Sequence, residues 1–473
     1  MKEVYDIAIV GAGPAGGNAA LAAAGTGLQV ALLDEQPSAG GQVWRAKSSS
    51  IISAPHTAES LAGAALRREI ADSNITHLDN ARVWQISRDG QDWHLQVLRN
   101  GISEAVQAKV LILATGAREF VQPIPGWTTP GVFGLAGATA LFKQNLSVPG
   151  KNTVVSGTGP LVFYVASEIR RLGGTVAAIV TPNTRRDWLG ALPAMLSKPK
   201  LLARGAFWMA DLMLARVPIY WGHAVTEVQG GSQISEVRIA ELDAQWAVKE
   251  QVAMLQTDSM CLGNGLIPQI EAAQMLGVGI RYDSSLGGWL PQSRDDGATD
   301  ILGLYLCGDG TGIRGADAAV LQGRLAGLRA ASDFGSDTTQ ERRKTTSHWR
   351  RSARFGVAMT GLSAPRAGLA SWTDNNTIVC RCESITKRGV LGEVDKGAAS
   401  ANAVKSGLRA GMGPCGGKYC QTAVAAVIAQ HTGKTAADIA PPTARPPLRP
   451  VPLSSAAGSF DYDDLPIPKP APL

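Results

Sequence analysis

The chain has 473 residues, 45% of them apolar and 18% charged, with a formal net charge of +6. It is too long for one core and divides, on length alone, into about three domains with the composition of a soluble globular protein. The positive charge is not gathered into a lysine- or arginine-rich block, and aromatic residues make up only 5%. Nucleic-acid binding therefore has no specific support, whereas an acidic partner or lipid headgroups stay compatible with the charge.

No apolar run reaches transmembrane length, so an integral membrane protein is not expected. The amino-terminal segment enters a strand within a few residues and lacks a signal-peptide pattern. Six cysteines in a chain of this size do not make a secreted disulfide scaffold. Four of them cluster toward the carboxyl end, which favours a metal in a reducing compartment. The expected location is the cytoplasm, with peripheral attachment at the inner membrane face left open.

In chain order, a short apolar run from Tyr5 to Val10 leads into Gly11-Ala12-Gly13-Pro14-Ala15-Gly16, and Asn18 to Ala24 is alanine-rich. This predicts a buried strand, a glycine turn and a helix. Gly11 permits the turn, Gly13 lets a pyrophosphate approach the backbone, and Gly16 lets the helix lie close to the strand. Phosphates would then meet unpaired N–H groups at the positive end of the helix dipole. The next strand, Gln29 to Leu33, ends in Asp34-Glu35, about twenty residues on, where a dinucleotide site needs a carboxylate for the ribose. Glu35 is the candidate, and Pro37 to Arg45, with the Gly40-Gly41 pair, is a loop that could run along the ligand.

Residues 56–72 read as a helix, and Asn80–Ile86 with Trp93–Arg99 as antiparallel strands. Val110 to Leu113 is a strand running into Ala114-Thr115-Gly116-Ala117, and Pro123 to Gly126 reverses the chain. A second strand–turn–helix–strand unit starts at Asn152, with Gly157-Thr158-Gly159-Pro160 as its turn, making an internal repeat of the first. Residues 187–216 read as helical and rich in Leu, Ala, Met and Trp, followed by strands near 219–228 and 234–240. Ile301 to Gly327 is again strand, glycine turn and helix. Residues 335–375 are polar and basic without clear periodicity and read as a connector. Residues 378–430 form a cysteine-bearing module, and 440–473 is proline-rich and expected to be extended.

Together, GAGPAG with Glu35, GGQ at 40–42, ATGA at 114–117, GTGP at 157–160 and GDG at 308–310 resemble, in order and spacing, the flavoprotein family of thioredoxin reductase. The resemblance covers about residues 4–332. It implies an α/β fold of tandem dinucleotide-binding, Rossmann-like domains, with FAD at the first site. The implied cofactor-binding set is Gly11, Gly13, Pro14, Ala15, Gly16, Glu35, Gln36, Gly41, Gln42, Val83, Thr115, Gly116, Asp309 and Ala316. In that family Asp309 bonds the ribityl chain, and the helix near Ala316 points its N-terminus at the flavin, where reduction places negative charge.

The module holding Cys380, Cys382, Cys415 and Cys420 resembles the bacterioferritin-associated-ferredoxin type of small helical [2Fe–2S] domain. Four thiolates are the ligand count such a cluster requires, and Gly411, Gly413, Gly416 and Gly417 leave backbone N–H groups free for its sulfurs. Zinc also accepts four cysteines, but its commoner pattern is paired C-x₂-C, whereas the intervals here are one and four residues. A vestigial empty site is the remaining alternative.

A flavoprotein body followed by this module is the arrangement of the α subunits of opine oxidases, hydroxyproline and proline dehydrogenases and hydrogen cyanide synthase. The resemblance implies a separate D-amino-acid-oxidase-like flavoprotein β subunit that oxidises a secondary amine or imino acid, with a small third subunit left open. The α subunit would then carry the electrons onward. The domain plan is a split FAD unit at 1–120 and 255–335, a second nucleotide-binding-like unit at 121–254, a connector at 336–377, the cluster module at 378–436 and the tail at 437–473.

Absences sharpen this reading. Cys261 and Cys307 stand alone on apolar strands and are expected to be buried packing residues, which argues against disulfide reduction. At the second site Val162 replaces the third glycine, and the strand from Thr175 ends in Thr181-Pro182-Asn183 without a carboxylate. Arg185-Arg186 reads as a solvated basic turn or as a holder of a nucleotide phosphate. A further flavin or nucleotide, at this site or shared with the partner, stays open. The six histidines are scattered and none is marked as catalytic. No catalytic residue is assigned. The competing readings are an NAD(P)H-dependent reductase that passes electrons through the cluster, and a redox-responsive scaffold.

Overall fold

The computed structural model describes residues 4–457. Its first sheet centres on Val4–Val10, which pairs in parallel with Val30–Leu33 on one side and Ile102–Leu113 on the other. Thr76–Leu78 extends one edge, while Arg82–Asp89 and Asp92–Arg99 continue the other as an antiparallel meander. Leu304–Leu306 returns from far along the chain to pair in parallel with Ile102–Leu113. Small residues set the packing on this sheet. The Ala316–Ser332 helix lies so close to Pro14–Ala24 that a Cβ at Gly323 or Gly327 would overlap the carbonyl of Ala15 or Ala19.

The second sheet centres on Asn152–Gly157, flanked by Thr175–Thr181 and Ser259–Gly263, with Ile219–Trp221 and Val132–Gly134 at the edges, all parallel. The sequence-based plan assigned 255–263 to the returning half of the first unit. This is corrected: Ser259–Gly263 is buried along its whole length and pairs Met260 with Val154 and Leu262 with Ser156 in the second sheet. The chain returns to the first unit only at Leu266–Pro268, which pairs with Ala117–Glu119 to make a two-stranded link. Gly222, at φ +72°, splits the strand expected at 219–228. Its second part opens an antiparallel sheet of His223–Gly230, Ile234–Leu242 and Val248–Gln256. The last strand is mostly exposed and carries apolar residues on both faces, so no alternation marked it. The expected helical stretch 187–216 is two helices, Arg185–Met195 and Pro199–Leu214.

Most of the connector is one 23-residue helix, Thr339–Gly361. Its buried face carries Thr345, Trp349, Ser352, Ala353, Gly356 and Met359 at helical spacing. Only two of these are large and apolar, which is why the periodicity is faint in the sequence. The Arg314 guanidinium stacks over the Trp349 ring at 5.7 Å.

The cysteine module joins a small ladder, Ile378–Cys380 with Ile385–Thr386, to three helices, Lys387–Asp395, Ala401–Leu408 and Gln421–Thr432. Val390, Val404, Val424, Val427 and Ile428 form its core. The described part of the tail is extended, as expected, until the short helix Leu453–Ala457. It is laid on the chain's own first sheet: the Leu448 N–H donates to Trp84 O at 2.7 Å, and Arg82 donates to Pro450 O at 3.3 Å. Residues 458–473 of the tail lie outside the described residues. Among the described residues no helix is long and apolar enough to cross a membrane.

Candidate functional site

The first glycine turn opens onto a cavity of about 960 Å³, and every residue of the proposed FAD-binding set except Gly16 lines it. Gly16 acts from behind, where a Cβ would overlap Gly11 O, so its missing side chain is what lets the helix meet the strand. Gly13 differs. A Cβ there meets nothing nearer than Gly41 Cα at 3.8 Å, and the space it would enter is cavity. Gly41, at φ +57°, presses against that turn, where a Cβ would come within 2.9 Å of Gly13 Cα. The Gly40 N–H donates to Ala12 O at 2.8 Å, holding the two glycine loops together.

Asp34, not Glu35, braces the turn. Its Oδ2 accepts the Ala12 N–H at 2.6 Å and its Oδ1 the Gln36 N–H at 2.8 Å. Burial raises its pKa, against these two donors. Glu35 lines the cavity nearer the surface, paired with Arg449 of the tail at 2.7 Å. Gln36 and Gln42 both accept from the half-buried Arg45 guanidinium. Val83 is buried on the Arg82–Asp89 strand, and Thr115 Oγ1 donates to Gln269 O at 3.1 Å.

Across the cavity, Asp309 Oδ1 accepts the N–H groups of Arg314 at 2.9 Å and Gly315 at 3.0 Å, leaving Oδ2 as the open acceptor on a lining residue. Burial raises this carboxyl's pKa. Gly315, Ala316 and Asp317 also line the cavity, so the Ala316–Ser332 helix begins there and presents its positive end. A glycine cradle open at Gly13, an inward carboxylate and a helix N-terminus fit a flavin dinucleotide: room for the pyrophosphate, an acceptor for hydroxyls, and positive potential for the reduced ring.

The second turn is filled by the chain itself. The Gly159 N–H donates to Oδ1 of fully buried Asn183 at 3.0 Å, and Asn183 Nδ2 donates to Leu362 O at 2.7 Å. A Cβ at Gly159 would come within 2.7 Å of Ser363 Oγ. The residues after the long connector helix therefore occupy the seat that nicotinamide-dinucleotide phosphates would need. Val162 is fully buried in the core behind the turn, and Arg185 and Arg186 are exposed.

The four clustered cysteines converge as two pairs. Cys420 and the N–H groups of Gly411, Glu383 and Cys382 surround the Cys380 sulfur and pull its thiol down to about 5, while Cys420 Sγ itself donates to Gly417 O at 3.9 Å. The pairing and burial push Cys420 up. Cys382, raised chiefly by burial, faces Cys415. Among the described residues no group of three or more such ligands closes on a single metal ion. Two thiolates on each of two bridged irons is the donor set of a [2Fe–2S] cluster, and the pairs fit it. A Cβ at Gly413 would overlap Cys382, so the loop closes around the sulfurs only with glycine there. Cys261 and Cys307 are fully buried and unpaired, and burial raises Cys307 to about 12. Among the described residues no histidine lines the cavity.

Sequence reasoning missed what distant segments bring. Lys418 and Tyr419, between two cluster cysteines, line the flavin cavity, as do Leu448 and Arg449 of the tail. Arg118 pairs with Glu271 and donates to Gln421 Oε1 at 3.2 Å, tying the link between the sheets to the residue after Cys420. Nothing local in the sequence signals these contacts, which join segments far apart along the chain. Glu119 was missed too. It is half-buried beside the start of the Leu135–Asn145 helix, where it accepts the Ala136 N–H at 2.8 Å, and desolvation lifts its pKa to about 8. The folded chain then holds a proton that a free carboxyl loses near 4.5, so this contribution to stability is full below 4.5 and is lost as pH rises through about 8. Glu119→Gln should flatten that slope, which in the parent chain approaches about 1.4 kcal/mol per pH unit. Parallel stability–pH curves for the two proteins, by thermal or urea melting, would rule this out.

The two glycine units and the paired cysteines together define a flavoprotein oxidoreductase with an iron–sulfur module. Residues 5–323 match the family model "Pyridine nucleotide-disulphide oxidoreductase", and residues 378–430 match "BFD-like [2Fe-2S] binding domain". The chain is 30% identical to an opine oxidase subunit of Agrobacterium tumefaciens (strain Ach5), over 97% of this chain and 92% of that one. It is 28% identical to hydrogen cyanide synthase subunit HcnB of Pseudomonas aeruginosa, over 94% and 97% respectively. In fold it is similar to L-proline dehydrogenase from P. horikoshii, with a TM-score of 0.73 and 22% identity over 96% of this chain and 79% of that one. The chain belongs to the pyridine nucleotide-disulphide oxidoreductase family and, within it, to the group that holds this opine oxidase subunit, with FAD and a [2Fe–2S] cluster as its cofactors.

Proposed function

We propose that this chain is the electron-transferring subunit of a hetero-oligomeric dehydrogenase or oxidase. Its partner would be a D-amino-acid-oxidase-like flavoprotein that oxidises an imino acid, hydroxyproline or an opine. The observation that carries the reading is the shared wall: Lys418 and Tyr419 lie within the Cys415–Cys420 loop and also line the cavity of the FAD-binding set. FAD supplies two-electron and one-electron exchange, and a [2Fe–2S] cluster supplies one-electron carriage. The chain's own part is to hold both sites close and dry. Arg118 clamps the cluster loop against the link between the sheets, and the tail residues Leu448 and Arg449 cover the Glu35 end of the cavity.

The filled second site speaks against a self-sufficient NAD(P)H reductase, because the Met359–Ser363 segment would have to leave before a nicotinamide dinucleotide could sit on Gly159. The names of the relatives, which are subunits of an opine oxidase and of a hydrogen cyanide synthase, support a partner. We place the complex in the cytoplasm.

The purified chain and its co-expressed complex test this. Mixed anaerobically with NADH or NADPH, the purified chain should keep its flavin oxidised over many minutes. It should show no amine dehydrogenase activity alone, whereas co-expression with a D-amino-acid-oxidase-like subunit should give a complex that reduces an artificial dye. Fast bleaching by NADPH would restore the reductase reading. A lone homogeneous chain that oxidises hydroxyproline or an opine at a full rate would overturn the partner.

A further inference from the structure

The helices Arg185–Met195 and Pro199–Leu214 form a hairpin inserted between two strands of the second sheet, Thr175–Thr181 and Ile219–Trp221. Its inner side is pinned by aromatic contacts: Trp188 stands edge-on to Phe163 at 5.5 Å, Trp208 packs on Tyr164 at 5.2 Å, and Leu212 is fully buried. The outer side is bare. Leu189, Leu196, Phe207, Met213 and Leu214 are 66, 61, 69, 66 and 86% exposed. Helical spacing places Leu189 with Leu196, and Phe207 with Leu214, on one face of each helix. Ala203, Ala206 and Ala210 fill the same exposed face of the second helix.

Charge on the hairpin is one-sided. Arg185, Arg186, Lys200 and the following Arg216 are exposed. Both hairpin carboxylates are engaged on other elements, Asp187 by Arg366 at 2.6 Å and Asp211 by Arg170 at 3.1 Å. From 185 to 216 every exposed residue is apolar, glycine or cationic. An apolar patch of this kind marks an interaction surface.

We propose that this hairpin docks the protein on an anionic lipid surface. A protein interface carries roughly one hydrogen bond per 100–200 Å², and this face offers no uncharged donor or acceptor side chain to make them. A lipid surface asks for none. Leucine, phenylalanine and methionine enter the acyl boundary, while arginine and lysine extend to the phosphates. The opposite face of the second helix lines the flavin cavity through Lys198, Leu201, Arg204 and Trp208, so docking here sets that cavity beside the lipid. The docking itself does not depend on which partner or acceptor the chain uses.

Vesicle flotation with the full cofactor-loaded chain tests this. Binding to vesicles of equal parts phosphatidylglycerol and phosphatidylethanolamine should exceed binding to phosphatidylcholine alone by more than about tenfold, and should weaken with salt. Phe207→Ser/Leu214→Ser should reduce partition about tenfold, with melting temperature and flavin content unchanged because both side chains are exposed. Arg185→Ser/Arg186→Ser/Lys200→Ser should remove the difference between the two vesicle types. Absence of flotation, or equal flotation of the Phe207→Ser/Leu214→Ser variant, overturns the proposal. So does a native complex with its partner that no longer floats while the free chain does, since the face would then be an interface between subunits.

Discussion

Gly13→Leu should purify folded but without flavin. Gly13 has φ −71° and ψ −172°, a conformation any residue adopts, and its Cβ would contact only Gly41 Cα at 3.8 Å. The backbone therefore tolerates the change, while the side chain takes the space in which the pyrophosphate would approach the turn. Denatured Gly13→Leu should release almost no FAD, where the parent chain releases FAD and not FMN alone. Melting should fall only by the lost ligand, about 4 kcal/mol where flavin stands a thousandfold above its dissociation constant. Gly16→Leu is the contrast, because its Cβ overlaps Gly11 O and the variant should lose the fold itself. Undiminished flavin in Gly13→Leu would count decisively against the site.

Cys415→Ser should abolish the iron–sulfur signal and leave the flavin spectrum intact. The parent chain, reconstituted, should carry about two irons and two acid-labile sulfides, the content of a [2Fe–2S] centre. Cys415 is only half-buried and sits in a loop, so its loss removes a ligand without opening the Val390–Ile428 core. None of the residues that line the glycine turn belongs to that core. The flavin should therefore stay. Zinc without sulfide in the parent chain would sink the assignment, and loss of flavin together with iron would show that flavin retention requires the cluster-loaded loop.

The strand–turn–helix units were legible because their chemistry is local. Gly16 answers to Gly11 within one turn, and Gly308-Asp309-Gly310 meets the start of its own helix, whereas Gly11 and Gly13 keep the G-x-G-x-x-G spacing although their own neighbours, Ala114 and Gly41, come from elsewhere. The boundary at 255 was misplaced, and the helix within the connector went unseen, for a shared reason. Ser259–Gly263 is a short apolar run that either sheet could take, and only its ladder with Asn152–Gly157 chooses. The Thr339–Gly361 helix buries threonine, serine and glycine against neighbours absent from its own segment.

By itself, then, the sequence determined the two glycine-turn units and the four-cysteine module, because each is written in residues close together along the chain. The tertiary structure alone decided which carboxylate braces the turn and what closes each site. Asp34 and Glu35 are adjacent and chemically alike, and they are told apart only by Ala12 on one side and Arg449 on the other. The second turn keeps its GxG pattern, yet Asn183, Leu362 and Ser363 fill it from two other elements. Burial and steric closure are properties of what the fold brings near, and sequence spacing carries no record of them.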